Sequence, residues 1–181
     1  LEKRFCCAFQ PKVDIRTREI MGVEALVRLR DDEGVIQAPS TFINLATELG
    51  LIDELTHLVL AEIVKSIDLI NETFGPDTTI SMNVAAKQAG NPEFMRPFAE
   101  ALEATGFPAR FMMEVTEDAF VAKTHFQDDI LPIFRKLGVK ISIDDFGIGY
   151  SSLSALADIT ADEIKIDRSF ITDIHKRPRS Q

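Results

Sequence analysis

The sequence predicts an α/β fold, a barrel-like sheet of mostly parallel strands wrapped by helices. Three observations carry that expectation. Strands and helices alternate along most of the chain, which implies parallel pairing with crossover connections. Short apolar runs end again and again in acidic or amide residues: VEALVRL (23–29), SMNVAA (81–86), MEVTED (113–118) and ISIDDFG (141–147). A further strand, EIKID (163–167), ends in a lysine and an aspartate. In a barrel the carboxyl ends of successive strands converge on one site, whereas in an open sheet they spread along a crevice.

The first two elements are FCCAFQPKVDI (5–15) and EIMGVEALVRL (19–29), two apolar runs separated by the charged stretch IRTR (15–18). They read as consecutive strands, with an antiparallel pairing available between them. Asp31 to Pro39 is rich in turn formers. Ser40 is placed to cap a helix running to about Leu49, with Phe42, Ile43, Ala46 and Leu49 on one face. A longer helix is expected from Ile52 to Thr73. Its stripe of Leu55, Leu58, Val59, Ile63, Ile67 and Ile70 is interrupted only by Glu62, and Gly75-Pro76 closes it.

From there the alternation is regular. Strands are expected at Thr79–Val84, Phe111–Val115, Val139–Ile143 and Glu163–Ile166. Helices are expected at Pro92–Thr105, Phe126–Leu137 and Ser151–Leu156, the second ended by Gly138. Six strands fall short of the eight of a complete (β/α)₈ barrel, which typically needs ~250 residues. An open doubly wound sheet fits the count as well; the recurrence of polar strand ends favours the barrel. No internal repeat or low-complexity tract interrupts the pattern.

Composition narrows the function. A chain of 181 residues with 45% hydrophobic content suits one domain with one core. Its net charge of −9 opposes a nucleic-acid polymer as partner, although a bound cation can invert the field locally for a small phosphorylated ligand. Cys6 and Cys7 are adjacent, so on a strand they point to opposite faces and are badly placed to bridge. That thiol usage fits a reducing cytoplasm. No apolar run approaches the ~20 residues a membrane helix needs, so no membrane contact is expected within the chain, whereas a parent protein could carry an anchor elsewhere.

Glu24, Asn83, Glu114, Asp144 and Asp145 are hard oxygen ligands suited to magnesium, manganese or calcium. Two adjacent aspartates at a strand end suit a pair of metals, which can clamp the entering and leaving oxygens of an in-line phosphoryl displacement. Lys165 offers a point charge for a phosphate oxygen or a water, and Asp167, two residues on, is placed to hold it. Each residue also has an ordinary reading: a salt-bridged strand-end glutamate, an asparagine turn, an aspartate cap. Lys165, flanked by two isoleucines and sharing a strand face with Glu163 and Asp167, resists that treatment. His57, His125 and His175 lack metal-ligand spacing, and Gly147-Ile148-Gly149 is a poor match to a dinucleotide fingerprint.

Taken together these segments resemble the EAL domain, the bacterial cyclic-di-GMP phosphodiesterase family. FQPKVD (9–14) is similar to that family's opening strand, with Phe9 for tyrosine. Glu24-Ala25-Leu26 is the signature itself, and SMNVAA, MEVTED, DDFGIGYSSLSAL and EIKIDRSFI follow in the family's order over essentially the whole chain. The resemblance implies a TIM-like barrel with an antiparallel first strand. It implies hydrolysis of cyclic-di-GMP to linear pGpG with Mg²⁺ or Mn²⁺. Glu24, Asn83, Glu114 and Asp144 would bind one metal, and Asp144 with Asp145 would serve a second. Lys165 would contact the catalytic water or phosphate, with Asp145 and Asp167 beside it, and Glu117 would steady the loop after Asp145. Gln10, Leu26 and Arg28 would contact the ligand, and the stretch from Phe146 to Leu156 implies a homodimer.

There are departures. Ala85 stands where the family usually has a serine, and no segment like the family's last two strands, AEGVE and QGY, occurs before Gln181. The expectation is therefore a domain over 1–181 lacking its last two strands, cut from a larger multidomain protein, with open sheet edges, an incomplete second metal site and no activity alone. A non-catalytic cyclic-di-GMP receptor or interaction module is the alternative.

Overall fold

The computed structural model describes residues 4–116, 126–147 and 161–172. Strands β1 (Phe5–Val13) and β2 (Ile20–Arg30) form an antiparallel pair in which Gln10 faces Glu24. Strands β4 (Thr79–Asn83), β5 (Phe111–Thr116), β6 (Lys140–Phe146) and β7 (Glu163–Ile166) then add in parallel, giving the order β1-β2-β4-β5-β6-β7. A two-residue strand β3 (Ile36–Gln37) pairs with the far end of β2 inside the stretch read as a loop. The antiparallel opening and the parallel remainder are those expected. Among the described residues the sheet is not closed by hydrogen bonds, and β1 and β7 are its edges.

Strand alternation sorts the side chains. Ile80, Met82, Phe111, Met113, Val115, Ile141 and Ile143 lie on the outer face with no exposed area. Helices cover that face: α2 (Ile52–Lys65), α3 (Ile67–Phe74), α5 (Pro92–Ala104) and α6 (Leu131–Lys136). They deliver Ile63, Ile70, Met95, Phe98, Leu102 and Phe134 to the same core. Phe94 and Phe98 stack at 5.3 Å between ring centroids, and Phe98 leans on Phe134 at 6.5 Å. A buried phenylalanine contributes about 1.5–3 kcal/mol by area alone, so this layer holds the fold. Gly22 is required by close packing: a Cβ there would stand 3.0 Å from the Thr79 carbonyl on β4.

Several boundaries differ from expectation, each for a local reason. Ser40 caps nothing; Pro39–Thr41 forms a 3₁₀ turn, and α1 (Ile43–Glu48) starts after Phe42 without a side-chain cap. The helix expected over 52–73 is two helices. At Ser66 the amide splits its bond between the carbonyls of Glu62 and Ile63, and the chain turns before α3 while the apolar stripe continues. The helix expected from Phe126 begins as a π-turn over Phe126–Ile130 before α6. A short helix, α4 (Ala86–Ala89), follows β4, and another, α7 (Arg168–Ile171), follows β7. Asn91 caps α5 by accepting from the Glu93 amide. The expected helix over 151–156 lies outside the described residues.

Ile164 and Ile166 on β7 keep 45% and 61% of their area exposed. Cys6 and Cys7 are both free, on opposite faces of β1. Burial, reinforced by the charge of Glu62, pushes the Cys7 thiol up to about 12.

Candidate active site

The inner faces of the same strands are polar. Parallel registers place Glu24 beside Ser81, Asn83 beside Glu114, Glu114 beside Ser142, and Thr116 beside Asp144. Three carboxylates from three strands thus reach one point, and the ammonium of Lys165 on β7 occupies it. Its Nζ donates to Glu114 Oε2 at 2.7 Å, to Glu24 Oε2 at 3.2 Å and to Asp144 Oδ2 at 3.2 Å, using all three of its donors. Asn83 Nδ2 donates to the other oxygen of Glu24 at 3.0 Å.

Electrostatics follow from this crowding. Burial works against the charge of Lys165, but its hydrogen bond to Glu114 and the charges of Glu114, Glu24 and Asp144 outweigh it and raise its pKa. Burial likewise pushes Glu24 up, and the Asn83 hydrogen bond with the Lys165 charge more than reverses it, holding Glu24 below its ordinary value. Glu114, whose side chain is fully enclosed, is raised by burial and by the Glu24 charge against the pull of two lysines.

Asp144 and Asp145 sit on an irregularity of β6. Between Ile143 and Phe146 the strand advances three residues while β7 advances two, which is a bulge. Asp145 takes up the extra residue at φ 54, a left-handed conformation that aspartate tolerates better than most, and its amide donates to Asp144 Oδ1 at 2.9 Å. Burial, then the charges of Asp144 and Asp167, push Asp145 up.

Asp167 does not hold Lys165, contrary to the expectation from strand parity. The strand ends at Ile166, and the Asp167 carboxylate caps α7, accepting from the Ser169 amide at 2.7 Å. That capping bond keeps its pKa below the ordinary value. Glu117 lies outside the described residues. Gln10, Leu26 and Arg28 share the inner face with Glu24, by pairing across β1 and by alternation along β2. The Arg28 guanidinium donates to the Val27 carbonyl at 2.9 Å.

A cavity of about 370 Å³ opens from the cluster. Its lining combines Glu24, Asn83, Glu114 and Asp144 with the apolar Leu26, Ile43, Ile52, Leu55 and Val59. That size and mixture suit a small ligand with a flat apolar part and a charged part.

The donors fit a hard divalent cation in chemistry and charge, with oxygen donors converging and an ammonium standing in for a cation at their focus. Among the described residues no three acidic, histidine or cysteine side chains are arranged as a ready metal cage, and the Lys165 ammonium stands between Glu24, Glu114 and Asp144. Sequence reasoning missed a second layer. Lys12 Nζ on β1 reaches Glu114 Oε1 at 3.2 Å and Glu163 Oε1 at 2.7 Å, and Ser142 Oγ donates to that same Glu163 oxygen at 2.9 Å. The parity of Lys12 with Gln10 and of Glu163 with Lys165 was the available signal.

Hard oxygen donors and a lysine are thus gathered on the inner face of a TIM-like sheet. The chain belongs to the EAL domain family, which it matches over residues 1–181. It is 37% identical over 174 residues to the cyclic di-GMP phosphodiesterase NbdA of Pseudomonas aeruginosa, covering 96% of this chain and 22% of that protein. It is 33% identical over 174 residues to the cyclic di-GMP phosphodiesterase PdeR of Escherichia coli, covering 96% and 26%. The chain therefore spans about a quarter of the length of these relatives. Among solved structures it resembles the PaMucR phosphodiesterase in complex with c-di-GMP, with a TM-score of 0.87, 32% identity and coverage of 98% and 72%. An EAL domain protein from Listeria monocytogenes superposes with a TM-score of 0.78 at 30% identity, covering 98% and 69%. Among the described residues no helix is long and apolar enough to cross a membrane.

Proposed function

We propose that this chain carries the active site of a metal-dependent cyclic-di-GMP phosphodiesterase that opens one phosphodiester to give linear pGpG. The observation that supports this most is the convergence of Glu24, Glu114 and Asp144 on one cationic point, with Asn83 braced against Glu24. The named phosphodiesterases among its relatives supply the reaction class.

Glu24, Asn83, Glu114 and Asp144 would hold one Mg²⁺ or Mn²⁺, and Asp144 with Asp145 would contribute to a second. When bound, the metals polarise the phosphoryl oxygens and make a water nucleophilic at neutral pH. Lys165, whose ammonium lies at that centre, would steady the phosphate or the attacking water as a point charge. Asp145, on the bulge next to Asp144, would lie beside the reacting group. Gln10 and the Arg28 guanidinium orient the ligand's polar edge and phosphate, and Leu26 with the apolar cavity lining shields a base from water. Glu117 steadies the loop after Asp145. The stretch from Phe146 to Leu156 pairs two copies, and the domain works in the cytoplasm as part of a larger protein.

The filled centre of the cluster, with all three Lys165 donors used, also favours a second reading: a receptor that binds cyclic-di-GMP without cleaving it. The deciding experiment follows cyclic-di-GMP by chromatography with the full natural protein in Mn²⁺. Conversion to pGpG that stops in excess chelator is expected. Binding without conversion selects the receptor, and neither binding nor conversion overturns both.

A further inference from the structure

We propose that Lys12 and Glu163 are positioning residues that orient the Glu114 carboxylate, so that one of its oxygens is presented to the metal. The proposal rests on the metal site described above.

Glu114 is the most enclosed carboxylate of the cluster, with no exposed side-chain area. Its two oxygens are separately held. Oε2 accepts from Lys165, which shares that ammonium with Glu24 and Asp144. Oε1 accepts from Lys12, which touches neither Glu24 nor Asp144 but turns to Glu163 and to the Met112 sulfur at 3.7 Å. With Oε1 tied to Lys12, Oε2 would be the oxygen that Glu114 offers to a divalent cation at the centre, and the group that fixes the carboxylate lies behind the site.

Lys12 is itself fixed from the far side. Its 2.7 Å pair with Glu163 joins β1 to β7, strands that exchange no backbone hydrogen bonds. Ser142 on β6 steadies that glutamate from the neighbouring strand. The chain Ser142–Glu163–Lys12–Glu114 thus ties β6, β7 and β1 to one oxygen of Glu114. Partners that orient a metal ligand typically change metal affinity 10–100-fold when removed.

The test is Mn²⁺ binding alone, read by electron paramagnetic resonance of the free ion, in the full natural protein without nucleotide. Lys12→Met is expected to weaken Mn²⁺ binding about 10–100-fold in protein shown to be folded by circular dichroism. Glu163→Gln is expected to lose several-fold, and the double variant no more than Lys12→Met, because Glu163 acts through Lys12. Equal Mn²⁺ affinity in wild type and Lys12→Met, or losses that simply add in the double variant, overturn the proposal while leaving the metal site standing. A wild-type protein that binds no Mn²⁺ overturns both. Should Lys12→Met fail to fold, the near-isosteric Glu163→Gln decides: several-fold weaker binding sustains the proposal and unchanged binding defeats it.

Discussion

The two faces of the same strands do opposite work. On β5 the outer residues Phe111, Met113 and Val115 are sealed against helices, while Glu114, between them in sequence, is sealed among charges. The outer face gains from every apolar contact it makes. The inner face spends part of that gain: it desolvates Glu24, Glu114 and Asp144 and recovers the cost only through Lys165, Lys12 and Asn83. A change on the outer face should therefore be read in stability, and a change on the inner face in ligand chemistry.

The sharpest way to break that contrast is Glu24→Ala. On the proposed function it removes a direct metal ligand, and turnover should fall by more than about the hundredfold typical of a supporting partner. Stability should move by only about 1 kcal/mol, since Lys165 retains Glu114 and Asp144. Unchanged turnover would remove Glu24 from the metal site. The mirror experiment is Phe98→Ala on the outer layer. Phe98 has no exposed area and touches Phe94, Phe134 and His57. The expected loss is about 3–5 kcal/mol in urea unfolding. Metal affinity of the remaining folded protein should be unaltered; a parallel loss of affinity would show that the faces are not separable.

Gly147→Ala tests the junction where the two faces meet. Gly147 follows the Asp144–Asp145 bulge at φ 101, and a Cβ there would stand 2.7 Å from the Phe170 ring of α7. A loss of about 1–3 kcal/mol is expected. Because the strain falls between Asp145 and the helix capped by Asp167, turnover should drop as well, measured at a temperature where the variant is still folded.

How far this was readable from sequence follows the same division. Strand parity is local, so VEALVRL, SMNVAA and MEVTED announced which residues face inward, and the structure brings Glu24, Asn83, Glu114, Asp144 and Lys165 together. Parity could place Lys12 and Glu163 on the inner face, but their contact across 151 residues is set by sheet curvature, outside any window along the chain. Asp167 was misread because parity was extended past the end of β7, where the backbone turns and a capping bond to Ser169 is worth more than a longer reach to Lys165. The break at Ser66 was hidden by Ile67 and Ile70, which continue the apolar stripe through it.

The smallest expected effect lies at alkaline pH and isolates the inner face without altering a carboxylate. The pKa of Lys165 is raised above its ordinary 10.5. The folded state thus binds this proton more tightly than the unfolded chain does. Below about pH 10.5 both states hold it and its stabilising contribution is complete; as pH rises further the unfolded chain releases it first, and the contribution fades until the folded-state pKa is passed. With a quarter of the side chain in solvent, screening limits the effect to the order of 1 kcal/mol. Urea unfolding at about pH 9 and about pH 11.5 should show this decline in the wild type and a shallower one in Lys165→Met. An equal decline in both would mean that the ammonium is not held by Glu24, Glu114 and Asp144 in solution, and that the three carboxylates stand apart until a cation gathers them.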